Sequence, residues 1–312
     1  MKYIVTGGAG FIGSHIVEAI AESHEVIIID NFSSGKQENL SMFAEGVSSI
    51  RGSITDLPLL NDVFQGADGI FHLGAIASVA RSVNNPVATH ETNLTGTLNV
   101  LLAARDCGVK KVVFSSSSAI YGDEPTLPKR EDMQPVPLSP YAVSKLAAEY
   151  YCNVFSELYG VKTVSLRYFN VFGPRQDPHS EYAAVIPKFI TRLLNNKPPL
   201  IFGDGKQTRD FVYVKDVVRV NLLAMDSSAT GIYNVGSGQS IDLNTLARRI
   251  AAIMKVNLSP VYEKQRSGDI RDSVSDIRAA KKALGYQIGY SLDQGLEETI
   301  KWFSLLKSGI KM

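Results

Sequence analysis

Five apolar runs punctuate the first half of the chain: KYIVTG from Lys2, EVIIID from Glu25, GIFHLGA from Gly69, KVVFSSSS from Lys111 and TVSLRYF from Thr163. Their richness in Val, Ile and Phe, with little polar alternation, predicts strands buried on both faces. Amphipathic stretches separate them, among them FIGSHIVEAIAES from Phe11 and THETNLTGTLNVLLAARDCG from Thr89. Strand and helix signals in alternation predict a parallel sheet with helices on both sides. Beyond Val171 the regularity loosens into short strands, turns such as GDGKQ and helices such as LNTLARRIAAIMK. The expected organisation is a doubly wound domain over residues 1–170 and a smaller α/β domain over 171–312. RDFVYVKDV and GIYNVGS read as strand-like again, so residues around 211–236 are expected to return to the first domain.

One helix stands out. Ser139 reads as its N-cap and Pro140 as its first residue, where a missing N–H costs nothing. Ala142, Val143, Leu146, Ala147, Tyr150, Val154 and Leu158 recur at helical spacing, a stripe the helix could bury, and Gly160 suits the stop. The helix needs neither Tyr141 nor Lys145 to form. At i and i+4 they lie on one face, so a phenol and an ammonium are presented side by side.

Composition narrows the setting. The chain has 312 residues and a formal net charge of +1, which gives no field to steer nucleic acid or an anionic membrane. No apolar run approaches the ~18 residues of a membrane span. MKYIVTGG at the start is already strand and turn, with no signal-peptide pattern. Two cysteines, Cys107 and Cys152, sit in helix-like stretches and read as buried thiols, with no disulfide or metal site. A reducing, cytoplasmic setting is the expectation.

IVTGGAGFIGSH places Gly7, Gly10 and Gly13 between the first strand and a helix. Such a turn lets backbone N–H groups approach a pyrophosphate at the positive end of the helix. The next strand ends in Asp30, at about the spacing expected for an acid that hydrogen-bonds adenosine ribose hydroxyls. An acid there repels a 2′-phosphate, which favours NAD over NADP. These features predict a Rossmann-type dinucleotide site.

A free tyrosine has a pKa of about 10, and bringing it to about 7 takes roughly 4 kcal/mol of differential stabilisation. A nearby ammonium and the positive ring of an oxidised nicotinamide are suitable sources. The resulting phenolate is a general base for a sugar or alcohol hydroxyl. FSSSSAIYG offers hydroxyls to share the load where a strand ends near the expected cleft.

TGGAGFIGSH, DNFSSG, HLGAIASV, NLTGTLNVL, FSSSSAIYGD, SPYAVSKLAAE, LRYFNVFGPRQ, FGDGKQTRDFVYVKD and RSGDIRDSVSD, spread through nearly the whole chain, together resemble the extended short-chain dehydrogenase/reductase family and within it the nucleotide-sugar epimerases. The resemblance implies that Tyr141 is the base and that Lys145 binds the nicotinamide ribose and lowers the tyrosine's pKa. It implies that Ser117 hydrogen-bonds the sugar 4-hydroxyl. Phe11 and Ile12 would meet the pyrophosphate through backbone amides, and Asp30, Asn31, Phe32, Ser33, Ser34 and Gly35 would hold the adenosine ribose. Leu73, Gly74 and Ala75 would line the cofactor channel, with Asn93 helping to seat the cofactor and Phe169 near the nicotinamide. Many relatives carry an acid beneath the adenine; this chain has Ser53 and Ile54 there, and serine is shorter and uncharged. His72 is expected to pack at a strand end.

Relatives that eliminate water carry Asp-Glu directly after the hydroxyl residue, and uronate decarboxylases place Glu two positions after it. Here those places hold Ser118 and Ala119, neither of which transfers a proton at neutral pH. What the resemblance then implies is 4-epimerisation of a UDP-sugar, UDP-glucose to UDP-galactose, with bound NAD recycled. Asn170, Arg209, Arg266 and Asp269 would hold the nucleotide diphosphate, guanidinium forks suiting a pyrophosphate. Ser273 stands where some glucose-restricted relatives have tyrosine, so an N-acetyl group at C2 is expected to fit. A homodimer through the Tyr141 helix and the NLTGTLNVL helix is implied likewise. Competing readings are a reductase, dehydratase or decarboxylase on a related nucleotide sugar. A dinucleotide-sensing regulator would predict a degraded Tyr–Lys pair, and this pair is intact.

Overall fold

A computed structural model describes residues 1–41, 43, 46–178, 184–264 and 270–309. The five apolar runs form strands β1 (Lys2–Thr6), β2 (Glu25–Asp30), β4 (Gly69–His72), β5 (Lys111–Ser117) and β6 (Lys162–Tyr168), with β3 (Val47–Arg51) added at the edge. A late strand, Gly231–Val235, pairs with β6, so the seven-stranded sheet reads Gly231–Val235, β6, β5, β4, β1, β2, β3. Every neighbouring pair is parallel. This is the doubly wound α/β sheet that the alternation predicts. The strand Phe211–Tyr213 departs from the expected return. It pairs with Asn170–Phe172 in a separate two-stranded unit, and only the following helix and Gly231–Val235 rejoin the main sheet.

Alternation along each strand sends successive side chains to opposite faces. Ile4, Ile29, Ile70, Val112 and Phe114 meet Leu60, Phe64, Val100, Leu101 and Ala148 on one side. Those partners come from helices α2 (Leu57–Val63, with Phe64 as its C-cap), α5 (Gly96–Asp106) and α6 (Pro140–Tyr159). Val5, Ile28, Phe71, Val113 and Val164 meet Ile16 and Val17 of α1 (Phe11–Ile20) and Val217 and Val220 of helix Val214–Asp226 on the other. Between β4 and α5 lie two short helices, α3 (Val79–Asn84) and α4 (Pro86–His90), and a π-helical turn, Glu91–Thr95. A third cluster, built on Phe189, Ile190, Leu246, Ile250, Leu296 and Phe303, joins helices Val185–Leu194, Leu243–Ile253 and Leu292–Lys307.

Helix α6 begins and ends as its sequence dictates. The Ser139 hydroxyl accepts from the Ala142 N–H at 3.2 Å, and Gly160 terminates it with a left-handed φ of 71°. Only part of the apolar stripe turns inward: Ala142 is buried and Leu146 and Ala147 are half-buried. The residues turned to the sheet include Ser144, Lys145, Glu149 and Cys152, whereas Val143, Tyr150, Val154 and Leu158 are exposed, Leu158 by 71%. The inner face combines Ala142, Ala148 and Phe155 with Lys145 and Glu149, for which Ser115, Ser116 and Arg167 of β5 and β6 supply hydrogen-bond partners. The outward stripe continues onto Val79 and Val83 of α3 and Val87 of α4, all exposed; no exposed large apolar side chain lies on α5. Among the described residues no helix is long and apolar enough to cross a membrane. Both cysteines are free, Cys152 buried and Cys107 half-buried.

Candidate active site

The sheet order reverses between β1 and β4, whose outward connections run to opposite sides and leave a crevice beyond their carboxyl ends. The glycine turn fills that place. Gly7 takes a left-handed φ of 70°, and a Cβ on it would lie 2.8 Å from the Gly74 nitrogen. A Cβ on Gly13 would lie 2.2 Å from the Gly7 carbonyl oxygen, so the helix seats against the turn only with glycine there. Gly10 is the N-cap of α1, and no side chain caps the helix. First-turn amides presented this way suit an anion with the helix dipole behind them.

Asp30 is buried at the end of β2. Its Oδ2 accepts from the Ala9 N–H at 3.0 Å and its Oδ1 from the Phe32 N–H at 2.8 Å. A carboxylate has about four acceptor positions, so these bonds orient it and leave capacity for two hydroxyls. Gly35 is wedged against it, since a Cβ there would meet Oδ2 at 2.8 Å. Phe32 takes a φ of 57°, and the Asn31 side chain accepts from the Ser33 N–H at 3.0 Å, folding Asn31–Ser34 into a tight loop around the acid. The residues present therefore fit a dinucleotide: a glycine turn at a helix N-terminus, with a buried, oriented acid at the end of the next strand bonded to Ala9 of that turn.

Leu73, Gly74 and Ala75 leave β4 half-buried beside this turn, the Leu73 N–H donating to the Thr6 carbonyl at 3.0 Å. Ser53 turns its hydroxyl to that of Thr55 at 2.7 Å, and Ile54 is buried in the core, where its methyls fill the space beside Gly74 and Gly96. Asn93 is buried too. Its side chain accepts from the Ile76 N–H at 2.7 Å and donates to the Ile76 carbonyl and the Ser144 hydroxyl. Both protons of its amide are thus spent on protein, on Ile76 and Ser144.

Tyr141, Lys145 and Ser117 come together at the end of β5. The Tyr141 N–H donates to Ser82 Oγ at 3.0 Å, which fixes the first turn of α6. Burial raises the Tyr141 phenol above its ordinary value, and a hydrogen bond with Ser117 opposes that rise. Lys145 is 3% exposed; its Nζ donates to the Ser115 carbonyl at 2.7 Å and lies 4.8 Å from the Phe114 ring centre and 6.0 Å from that of Tyr141. Burial lowers its pKa to about 8, against the pull of Cys152 and Glu149. Lys145 makes no hydrogen bond to the phenol here. The ammonium is aimed at the Ser115 carbonyl, and desolvation of the phenol prevails.

After Ser117 the chain makes a 3-10 turn, Ser118–Tyr121, pinned by the Ala119 N–H on Ser117 Oγ at 3.2 Å and by the Val136 N–H on the Ile120 carbonyl at 3.0 Å. Behind it runs a buried network that the sequence reading missed. Glu149 accepts from Ser116 Oγ at 2.5 Å and from Arg167 Nη2 at 2.8 Å; Arg167 Nη1 donates to the Tyr121 hydroxyl, which donates to Asn234. The available signal was spacing, since Glu149 follows Lys145 by four residues on the same face of the helix.

Phe169 is buried against Tyr121, with ring centres 6.3 Å apart. Asn170 donates from Nδ2 to the Asp210 carbonyl at 3.1 Å. Arg209 donates to the carbonyls of Thr208 and Arg271, and Ser273 runs beside them with its N–H on the Thr208 carbonyl at 3.2 Å. Arg266 and Asp269 lie outside the described residues.

Residues 3–236 match the NAD dependent epimerase/dehydratase family, and the chain belongs to that family. A UDP-glucose 4-epimerase of Mycolicibacterium smegmatis is 38% identical over 309 residues, 97% of this chain and 98% of the relative. A UDP-N-acetyl-alpha-D-glucosaminuronate decarboxylase of Bacillus cytotoxicus is 36% identical over 318 residues, 97% of each chain. Two solved structures superpose with TM-scores of 0.95. One is a UDP-N-acetylglucosamine 4-epimerase from Methanobrevibacter ruminantium M1 in complex with UDP-N-acetylmuramic acid, 43% identical with 98% of each chain covered. The other is a UDP-glucose 4-epimerase from Thermotoga maritima with UDP-glucose, 42% identical, covering 98% of this chain and all of that one.

Proposed function

We propose that this protein is an NAD-dependent UDP-glucose 4-epimerase that interconverts UDP-glucose and UDP-galactose through a 4-keto sugar and also accepts UDP-N-acetylglucosamine. One observation carries the reading: the Tyr141–Ser117–Lys145 group is complete, while the two positions after Ser117 hold no acid or base. When bound, the dinucleotide supplies a reversible acceptor for the hydride on the sugar's C4. Tyr141 takes the 4-hydroxyl proton and later returns it, while Ser117 shares the same oxygen and orients it. Lys145, protonated at pH 7, lends its charge to the phenolate as the proton arrives and leaves. Gly7, Gly10, Gly13 and the backbone of Phe11 and Ile12 would cradle the pyrophosphate; Asp30 would hold the adenosine ribose. Ser118 and Ala119 offer no group to eliminate water or to discharge a carboxylate, so the ketone goes back to an alcohol.

The second lobe, with Asn170, Arg209, Ser273, Arg266 and Asp269, would hold the uridine diphosphate and the sugar. The apolar stripe left outside on α6 and continued on α3 and α4 would be covered by a second copy of the chain, giving a homodimer. The test is to incubate the purified protein with UDP-glucose, follow products by NMR, and repeat with Tyr141→Phe. Formation of UDP-galactose, with turnover lowered about a thousandfold in the variant, supports the reading. A product of different mass, or a Tyr141→Phe variant as fast as the parent, refutes it.

A further inference from the structure

His72 takes no part in the chemistry just described, yet it is 1% exposed and both of its ring nitrogens are engaged. The direction of each bond follows from counting protons. Thr97 Oγ1 donates its single proton to the Asn93 carbonyl at 2.5 Å. Toward His72 Nε2, at 3.0 Å, Thr97 can therefore only accept, which puts the ring proton on Nε2. Nδ1 is then an acceptor, and the Thr6 hydroxyl, 2.7 Å away, donates to it. With its own proton spent, Thr6 Oγ1 accepts the Gly74 N–H at 3.2 Å. The chain runs one way from Gly74 through Thr6, His72 and Thr97 to Asn93.

At Asn93 it reaches the catalytic helix. Ser144 Oγ donates to the Tyr141 carbonyl at 2.7 Å, so it can only accept from Asn93 Nδ2 at 3.1 Å. The same asparagine side chain grips Ile76, two residues beyond Gly74. Asn93 lies inside the π-helical turn Glu91–Thr95, a widened turn of the kind that re-aims a side chain at a functional site. Thr6, His72, Asn93, Thr97 and Ser144 are all at most 3% exposed, so water cannot replace a broken link. The imidazole also stacks on Phe114 with ring centres 5.6 Å apart, and Phe114 lies against the Lys145 ammonium.

We infer that His72 is a positioning residue: held as the Nε2–H tautomer, it ties the channel wall at Gly74 to the first turn of the Tyr141 helix and so fixes the separation of the cofactor's place from the phenol. A planar ring with one acceptor and one donor on opposite edges, rigid and stacked, spans Thr6 and Thr97 in a single orientation. The inference rests on the epimerase reading for what is positioned, while the tautomer itself does not.

The experiment has two arms on the whole protein. In the first, with all five histidines labelled by nitrogen-15 and His72→Gln used for assignment, NMR at pH 7 reads the ring nitrogens. The expected spectrum has an unprotonated Nδ1 and a slowly exchanging Nε2–H; a proton on Nδ1 overturns the inference whether or not the protein turns over any sugar. In the second, the nearly isosteric Thr97→Val removes the link beyond the ring, and Thr97→Ser restores it. Thr97→Val is expected to lower kcat about ten- to a hundredfold, the scale of a small misplacement of reacting groups, with KM within about twofold of the parent and recovery in Thr97→Ser. A kcat that stays intact while only thermal stability falls overturns the positioning role. Inactivity of the unaltered protein on every UDP-sugar would instead sink the epimerase reading and leave the NMR arm to decide the tautomer.

Discussion

Replacing Lys145 with methionine separates what the lysine does for chemistry from what it costs the fold. Its pKa is lowered from 10.5 to about 8, first by burial, which outweighs the pull of Cys152 and Glu149. Each pH unit is worth about 1.36 kcal/mol, so holding Lys145 protonated in the native state costs about 3 kcal/mol at pH 7. Between about pH 8 and 10.5 the unfolded chain keeps this proton and the native state has released it. The unfolded state then binds more protons, and parental stability rises with pH across that window. Methionine has similar length and no charge to desolvate, but it forfeits the bond to the Ser115 carbonyl, a loss of about 1 kcal/mol. Lys145→Met is therefore expected to be about 2 kcal/mol more stable than the parent at pH 7, with the difference vanishing as pH approaches 10, while turnover is lost. Urea unfolding of both proteins at pH 6 to 10 measures it. A variant less stable at pH 7, or a difference that does not change with pH, would refute the reasoning.

Three further outcomes are expected. Arg167→Leu strands the buried Glu149 carboxylate and should cost about 3–5 kcal/mol in urea unfolding, with part recovered when Glu149→Gln is added. Ser273→Tyr should lower turnover of UDP-N-acetylglucosamine about tenfold or more relative to UDP-glucose; equal effects on the two sugars would clear Ser273 of a gating role. Val154→Arg with Leu158→Arg places charge on the exposed stripe and should shift light scattering in solution from dimer to monomer with the far-UV spectrum unchanged.

Much of the frame was legible because a parallel strand has no solvent face to disguise it: KYIVTG, EVIIID and KVVFSSSS are apolar on both sides and fall where they were expected. The edge strand Val47–Arg51 escaped because its apolar signal is only Val47 and Ile50, half-buried against opposite faces of the sheet with exposed Ser48 and Ser49 between them. The inner face of α6 was only partly legible because apolar spacing reports which residues could be buried together, whereas Lys145 and Glu149 are buried by partners on β5 and β6. Gly7, Gly13 and Asp30 were legible because each answers a local constraint of the turn. The links made by Asn93 and His72 were not, since those hydrogen bonds join residues far apart in sequence, Thr6 and His72 being separated by 66 positions.

The 3-10 turn after Ser117 carries the two positions, Ser118 and Ala119, on which the proposed reaction turns. Ser118 and Ala119 are half-buried, and the turn that carries them is fixed by backbone N–H groups, one on the Ser117 hydroxyl and one on the Ile120 carbonyl. Under the proposed reaction, carboxylates introduced at those two places would stand next to Ser117 on the turn, and not on a strand or in the glycine turn. On that reading, the outcome of the reaction would be open to change at two side chains while the frame stays as it is.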